Sequence, residues 1–139
     1  MPTQRVVALD LGGRRIGVAT SVGTIASPHS VLERAATRDA DHAAIAALVA
    51  ELEADLVVVG LPLSLDGTMG PAARAAADEA AQLADVLPVP VETYDERLTT
   101  VTADRSLSQL GLRGQARRRV VDQVAAAVIL QAWLDRRHT

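Results

Sequence analysis

With 139 residues, 49% of them hydrophobic, the chain is long enough to fold as one compact domain with a core and short for two. The lack of cysteine excludes disulfides, thiol catalysis and thiolate metal sites, and the shortage of aromatic residues disfavours single-strand binding by base stacking. A formal net charge of -3 gives no overall attraction to a polyanion, yet all 14 basic residues are arginines and several are clustered. We therefore expect one domain over residues 1–139. If it binds a phosphate backbone, local arginine patches should make the contacts.

Strands and helices are predicted from the apolar runs and their periodicity. The predicted strands are at residues 6–9, 16–19, 24–33, 56–59 and 89–94. The predicted helices are at residues 41–53, 71–85, 100–110 and 115–136. Pro28 places the third strand at an edge of the sheet or breaks it. Three consecutive strands followed by alternating helices and strands predict a mixed sheet of the α/β class with helices on its faces.

The N-terminal part of the chain carries no targeting signal that we can identify. Its first apolar run, at residues 6–9, is too short for a signal peptide or a membrane span. The sequence therefore predicts a cytoplasmic protein with no membrane partner.

Two acidic residues follow apolar strands, at positions expected to share one end of the sheet. Asp10 comes directly after the first predicted strand, and Glu96 comes shortly after the fifth. A carboxylate at the end of a central strand is costly to bury without a partner. For Asp10 the alternative to a functional site is a bond to the turn amides of Gly12 and Gly13. For Glu96 the alternative is an exposed ionic turn formed with its charged neighbours.

Asp122 interrupts the apolar face of the last predicted helix. The apolar residues on that face are Ala125, Ala126, Ile129 and Trp133. The two alanines would let the helix approach the sheet closely and bring the Asp122 carboxylate over the strand ends. The alternative is an ion pair with Arg118 or Arg119, near the start of the helix.

Considered jointly, Asp10, Glu96 and Asp122 fit a carboxylate cluster for Mg²⁺ or Mn²⁺, which prefer oxygen ligands. The three histidines are too far apart in the sequence to suggest a zinc site. Such a cluster would activate a water molecule and neutralise charge on the scissile phosphate during phosphodiester hydrolysis. The arginines predicted to hold the nucleic-acid backbone are Arg14, Arg15, Arg97, Arg117, Arg118 and Arg119.

Four motifs, in order along nearly the whole chain, resemble those of the YqgF family, also called RuvX. They are DLGGRRIGVA at residues 10–19, GLPLSLDGT at 60–68, DERLTT at 95–100, and VDQVAA with VILQ at 121–126 and 128–131. One departure is Arg14, where family members commonly have Lys.

The resemblance implies a ribonuclease H-like fold, a five-stranded mixed sheet flanked by helices, with Asp10, Glu96 and Asp122 in the catalytic positions. It also implies a metal-dependent endonuclease that matures the 5′ end of pre-16S ribosomal RNA. Ribosome precursor particles are the implied partners, and the expected state is a monomer or a homodimer.

Three other functions are compatible with parts of the sequence. Resolution of Holliday junctions in branched DNA would use the same fold and the same carboxylates, and no reader of the 2′-hydroxyl is identified. A nucleic-acid-binding module without catalysis is disfavoured because all three acids are present. A nucleotide-binding ATPase of the actin and sugar-kinase type is disfavoured because the chain has neither a GxxxxGK loop nor a GxGxxG pattern.

Overall fold

The computed structural model describes residues 4–64, 66–97 and 114–137. In the last of these ranges, side chains are described from Asp122 onward. Its described strands are β1 (Val6–Leu11), β2 (Arg15–Val22), β3 (Ile25–Glu33), β4 (Leu56–Leu61) and β5 (Val91–Asp95). Its described helices are α1 (Arg38–Glu51), α2 (Pro71–Val86) and α3 (Gly114–Arg137). The five predicted strands and three of the predicted helices are confirmed, and the helix predicted at residues 100–110 lies outside the described residues.

The strands form one mixed sheet in the order β3-β2-β1-β4-β5. The first three strands are antiparallel neighbours, whereas β4 runs parallel to both β1 and β5. The proline in β3 lies on an edge strand, as predicted, and the register of β2 and β3 shifts between Val18 and Ala19, opposite Pro28. The central strand β1 therefore has a neighbour on each side, and its carboxyl end is surrounded by other elements.

Two apolar layers enclose the sheet. Side chains from alternate positions of the strands, such as Leu9, pack against α1 and α2 on one face. The remaining positions, such as Ala8, pack against α3 on the other face, where Ile129 and Trp133 contribute the largest side chains. Because the central strands β1 and β4 are buried on both faces, they are nearly continuous apolar runs in the sequence.

Several element boundaries differ from the predicted ones, and two of them bear on the site and its surroundings. Strand β1 extends to Leu11, so Asp10 lies inside the strand, paired with Gly17, and not after its end. Helix α1 begins at Arg38 and not at residue 41, because Thr37 caps it by accepting a hydrogen bond from the backbone N–H of Ala40 at 3.2 Å. The apolar periodicity misses this first turn because its residues are polar.

None of the three described helices combines the length and apolarity that crossing a bilayer requires.

Candidate active site

Asp10 lies on the face of β1 that α3 covers, since it follows Val6 and Ala8 at alternate positions and both pack in that layer. It pairs with Gly17 of β2, and on its other side Gly60 of β4 continues the parallel register of Leu9 and Val59. Asp10 is thus flanked on both neighbouring strands by residues without side chains. The open space on either side of its carboxylate is filled from outside the sheet.

The space over Gly17 is filled by the backbone of α3. A Cβ built on Gly17 would collide with the backbone carbonyl of Asp122. Any larger residue in this position would hold the helix away from the sheet. Gly17 therefore allows α3 to bring Asp122 beside Asp10. Ala126 is predicted to let this helix approach the sheet closely, and its side chain is fully buried in the same layer, which is compatible with that role.

The space over Gly60 is filled by the side chain of Glu96. A Cβ on Gly60 would collide with Oε2 of Glu96 and would also meet Ile129 of α3. The backbone N–H of Glu96 donates to the carbonyl of Leu61 at 3.2 Å, which fixes the residue at the carboxyl end of β4. Glu96 is only 6% exposed, so the alternative of an exposed turn does not hold for it.

Burial and charge act together on Asp10. Desolvation, and after it the repulsion from the Asp122 carboxylate, raise the pKa of Asp10 from 3.8 to about 6. Asp10 and Glu96 also line a common cavity of about 630 Å³ at the sheet end. A carboxyl that is both desolvated and repelled by a second acid is a frequent feature of functional sites.

Asp122 is engaged by an arginine from outside its own helix. Nε of Arg15, at the start of β2, donates to Oδ2 of Asp122 at 2.7 Å, with side chains that are 13% and 23% exposed. This ion pair joins residues 107 positions apart. The alternative predicted for this acid, a pair with Arg118 or Arg119, stays a prediction, because those side chains lie outside the described residues.

The three predicted acids are brought together in part. Asp10 interacts electrostatically with Asp122 and shares a cavity with Glu96, whereas Asp122 does not line that cavity. Over the described ranges, no group of three or more histidine or acidic side chains is arranged so that it could hold a metal ion. Carboxylate oxygens are donors that Mg²⁺ and Mn²⁺ prefer, and in this structure Arg15 engages the carboxylate of Asp122.

The predicted arginines differ in their surroundings. Arg14 is exposed in the turn before β2. Arg97 pairs with Asp95 through Nε at 2.8 Å and Nη2 at 2.7 Å, so the ionic turn predicted as an alternative forms around the buried Glu96. The side chains of Arg117, Arg118 and Arg119 lie outside the described residues, although their backbone belongs to α3. Their contact with nucleic acid stays a prediction.

A charged network beside the cavity was not predicted from the sequence. Arg34 donates from both Nη atoms to Glu79, at 2.7 and 2.8 Å, and from Nε to the carbonyl of Gly12 at 3.0 Å. Asp41 and His42 of α1 complete it through contacts to Arg34 and Glu79. A signal was present, since Glu79 lies among alanines on the buried face of α2. The network ties the turn that follows Asp10 to both helices on that face.

Replacing Gly17 by Ala is expected to destabilise the protein by about 1–3 kcal/mol, because the new methyl group forces the backbone of Asp122 to move. The matched control is Gly13→Ala, since a Cβ at Gly13 meets nothing within 4 Å. Chemical denaturation of both variants measures the difference. Equal unfolding free energies would show that α3 does not depend on this close approach.

A family model described as "RuvX: Holliday junction resolvase" matches residues 4–136. Relatives named "Putative pre-16S rRNA nuclease" include a protein of Mycobacterium sp. (strain KMS), 49% identical, with 96% of this chain and 80% of the relative covered. Another, of Anaeromyxobacter sp. (strain Fw109-5), is 48% identical, with 96% and 98% covered. Among solved structures, T. thermophilus RuvC in complex with Holliday junction substrate aligns with a TM-score of 0.60 at 17% identity, covering 98% of this chain and 97% of that chain.

The similarity to RuvC concerns the fold, and it confirms the predicted ribonuclease H-like architecture, a five-stranded mixed sheet flanked by helices. The family match covers nearly the whole chain and includes the segments that carry Asp10, Glu96 and Asp122. Close relatives cover the same length at almost half identity. The chain belongs to the RuvX family.

Proposed function

We propose that the chain is a metal-dependent endonuclease acting in the cytoplasm on pre-16S ribosomal RNA, where it matures the 5′ end during ribosome biogenesis. It is a hydrolase that cuts phosphodiester bonds, as its family and the nuclease names of its relatives support. The observation that carries the proposal is the position of Asp10, desolvated at the sheet end between Glu96 on one side and Asp122 on the other. Asp10 interacts with Asp122 and shares a cavity with Glu96, which supports a common role for the three acids.

Asp10, Glu96 and Asp122 are the residues that would hold Mg²⁺ or Mn²⁺. When bound, such an ion supplies neutralisation of charge on the scissile phosphate and activation of a water molecule for in-line attack. Above its pKa of about 6 the Asp10 carboxylate is ionised in most molecules, so it is ready to bind a cation at neutral pH. The buried side chain of Glu96 lies over Gly60, the neighbour of Asp10 in the sheet.

The arginines near this sheet end bind the backbone of the substrate. Arg14 is exposed in the turn after β1, and Arg97 follows the end of β5. Contacts of this kind orient a phosphodiester backbone without reading its sequence. The substrate is therefore selected by its shape, which suits a structured precursor RNA.

The proposal is tested by incubating the protein and its Asp10→Asn variant with a precursor RNA that carries the unprocessed 5′ end, with Mn²⁺ and with EDTA. We expect cleavage by the wild-type protein with Mn²⁺ only. A junction of four DNA arms is tested in parallel. Cleavage of the RNA by both proteins would remove Asp10 from the site.

A second candidate is resolution of Holliday junctions, which the family description and the fold shared with RuvC favour. The same assay separates the two functions. Paired nicks at symmetric positions in the junction, with the precursor RNA left intact, would replace the ribosomal assignment with this one. The relatives' names favour the RNA.

A further inference from the structure

We infer that Arg15 is an internal counterion of the acidic site, which neutralises Asp122 in the metal-free protein and leaves it when a divalent cation binds. The inference rests on the proposed function, because it concerns how the proposed metal site is filled. It starts from the ion pair between Nε of Arg15 and Oδ2 of Asp122 at 2.7 Å. Among the predicted phosphate-binding arginines with described side chains, Arg15 contacts one of the proposed metal ligands.

The pair is built into the fold. Arg15 and Gly17 are two positions apart on β2 and so point to the same face of the sheet, the one covered by α3. Gly17 touches the backbone of Asp122, and Arg15 reaches the carboxylate of the same residue. A single strand segment thus fixes both the main chain and the side chain of Asp122. Such a contact persists better than a pair of two long, exposed side chains.

The charge of Arg15 is needed where it lies. The carboxylates of Asp10 and Asp122 repel each other. The guanidinium offsets one of these two negative charges at a site that is mostly removed from water. Arg34 is also near the cavity, but Glu79 and Asp41 engage its guanidinium. In the metal-free protein Arg15 therefore offsets the negative charge of Asp122, as a bound divalent cation would.

Exchange of the two cations has a consequence for the substrate. A divalent ion at Asp122 repels the guanidinium and competes for the same oxygen, so the ion pair opens. The guanidinium is then available for a phosphate oxygen, which it can contact with two parallel hydrogen bonds. The predicted contact of Arg15 with nucleic acid would thus follow metal binding and not precede it.

The test measures Mn²⁺ binding by titration calorimetry, without nucleic acid, for the wild-type protein and Arg15→Gln. We expect the variant to bind Mn²⁺ with a Kd about tenfold lower, because the ion no longer has to break the ion pair. A tenfold change in Kd corresponds to about 1.4 kcal/mol of binding free energy. Without metal, the Tm of the variant should fall, and added Mn²⁺ should raise it more than in the wild type. Arg74→Gln is the matched control, since it removes an equal charge from an exposed position on α2 and should leave the Kd unchanged.

The outcomes separate this inference from the proposed function. Mn²⁺ binding by the wild-type protein, with an equal or higher Kd for Arg15→Gln, would overturn the counterion role and leave the metal site standing. No Mn²⁺ binding by any of the proteins would overturn both. If Arg15→Gln does not fold, Arg15→Lys decides, because a lysine holds the carboxylate less firmly and should lower the Kd by a smaller factor. An unchanged Kd in that variant would refute the role as well.

Discussion

Asp10→Asn is expected to reduce Mn²⁺-dependent cleavage by about 100-fold or more, the scale on which the loss of one charge-stabilising group lowers kcat. The same substitution should stabilise the metal-free protein. Both effects have one cause, because the carboxylate is kept in a buried place where its charge is unfavourable until a cation arrives. A residue that supports only the fold would lose stability when changed.

The stabilisation depends on pH in a definite direction. The pKa of Asp10 is about 6 in the folded protein against 3.8 ordinarily, so the folded state binds this proton more tightly than the unfolded chain does. Ionisation of Asp10 therefore costs stability as the pH rises from about 4 through 6, by up to about 3 kcal/mol. Asn avoids this cost. The advantage of the variant should be full at pH 8, smaller at pH 6 and gone near pH 4.

Calorimetric unfolding in EDTA at these three pH values measures the effect. Asp78→Asn is the control, since Asp78 is exposed on α2 and its change should leave the Tm nearly the same at each pH. A variant at Asp10 that is less stable than the wild type at pH 8 would contradict the assigned cost of its charge. Activity is compared at pH 8, where the wild-type carboxylate is ionised.

The order of elements in this fold can be predicted because its signals are local. Continuous apolar runs mark the buried strands, and the alternation of helices with β4 and β5 follows from the periodicity of the intervening segments. The end of β1 could not be predicted, because Asp10 belongs to the strand by its backbone pairing with Gly17 although its side chain is polar. Hydropathy alone places a strand boundary wherever the apolar residues stop.

The partners of the site residues depend on contacts that periodicity does not encode. Asp122 could be recognised as an acid on an apolar helix face, but its pairing with Arg15 joins residues 107 positions apart. Gly17 and Gly60 are isolated glycines in strand patterns, which is a known sign of close approach. What approaches each glycine follows only from which face α3 covers and where the chain returns after β5.

Glu79→Ala is expected to destabilise the protein by about 3–5 kcal/mol, the range for breaking a buried ion pair by removing one partner. Glu79 is 2% exposed, and both its oxygens accept hydrogen bonds from Arg34, with His42 as a further partner of Oε2. Without it, the partners that the Arg34 guanidinium keeps within the described part of the chain are Asp41 and the carbonyl of Gly12. Chemical denaturation measures the loss.

The control for Glu79 is Glu53→Ala, which breaks the pair of Arg5 and Glu53, whose side chains are 58% and 75% exposed. That change should cost at most about 1 kcal/mol. A loss of similar size in both variants would mean that the network around Glu79 contributes no more than a surface pair.

Glu79 and Asp10 should also respond to pH in opposite directions. Burial alone raises the pKa of Glu79, but the hydrogen bonds from Arg34 and His42 outweigh it, so the pKa lies below its ordinary 4.5. Its contribution is therefore complete at neutral pH and is lost as the pH falls below about 4.5. Ionised Glu79 therefore stabilises the protein, whereas ionised Asp10 destabilises it. We expect this contrast in sign to distinguish a structural carboxylate such as Glu79 from one that binds a cation, as proposed for Asp10.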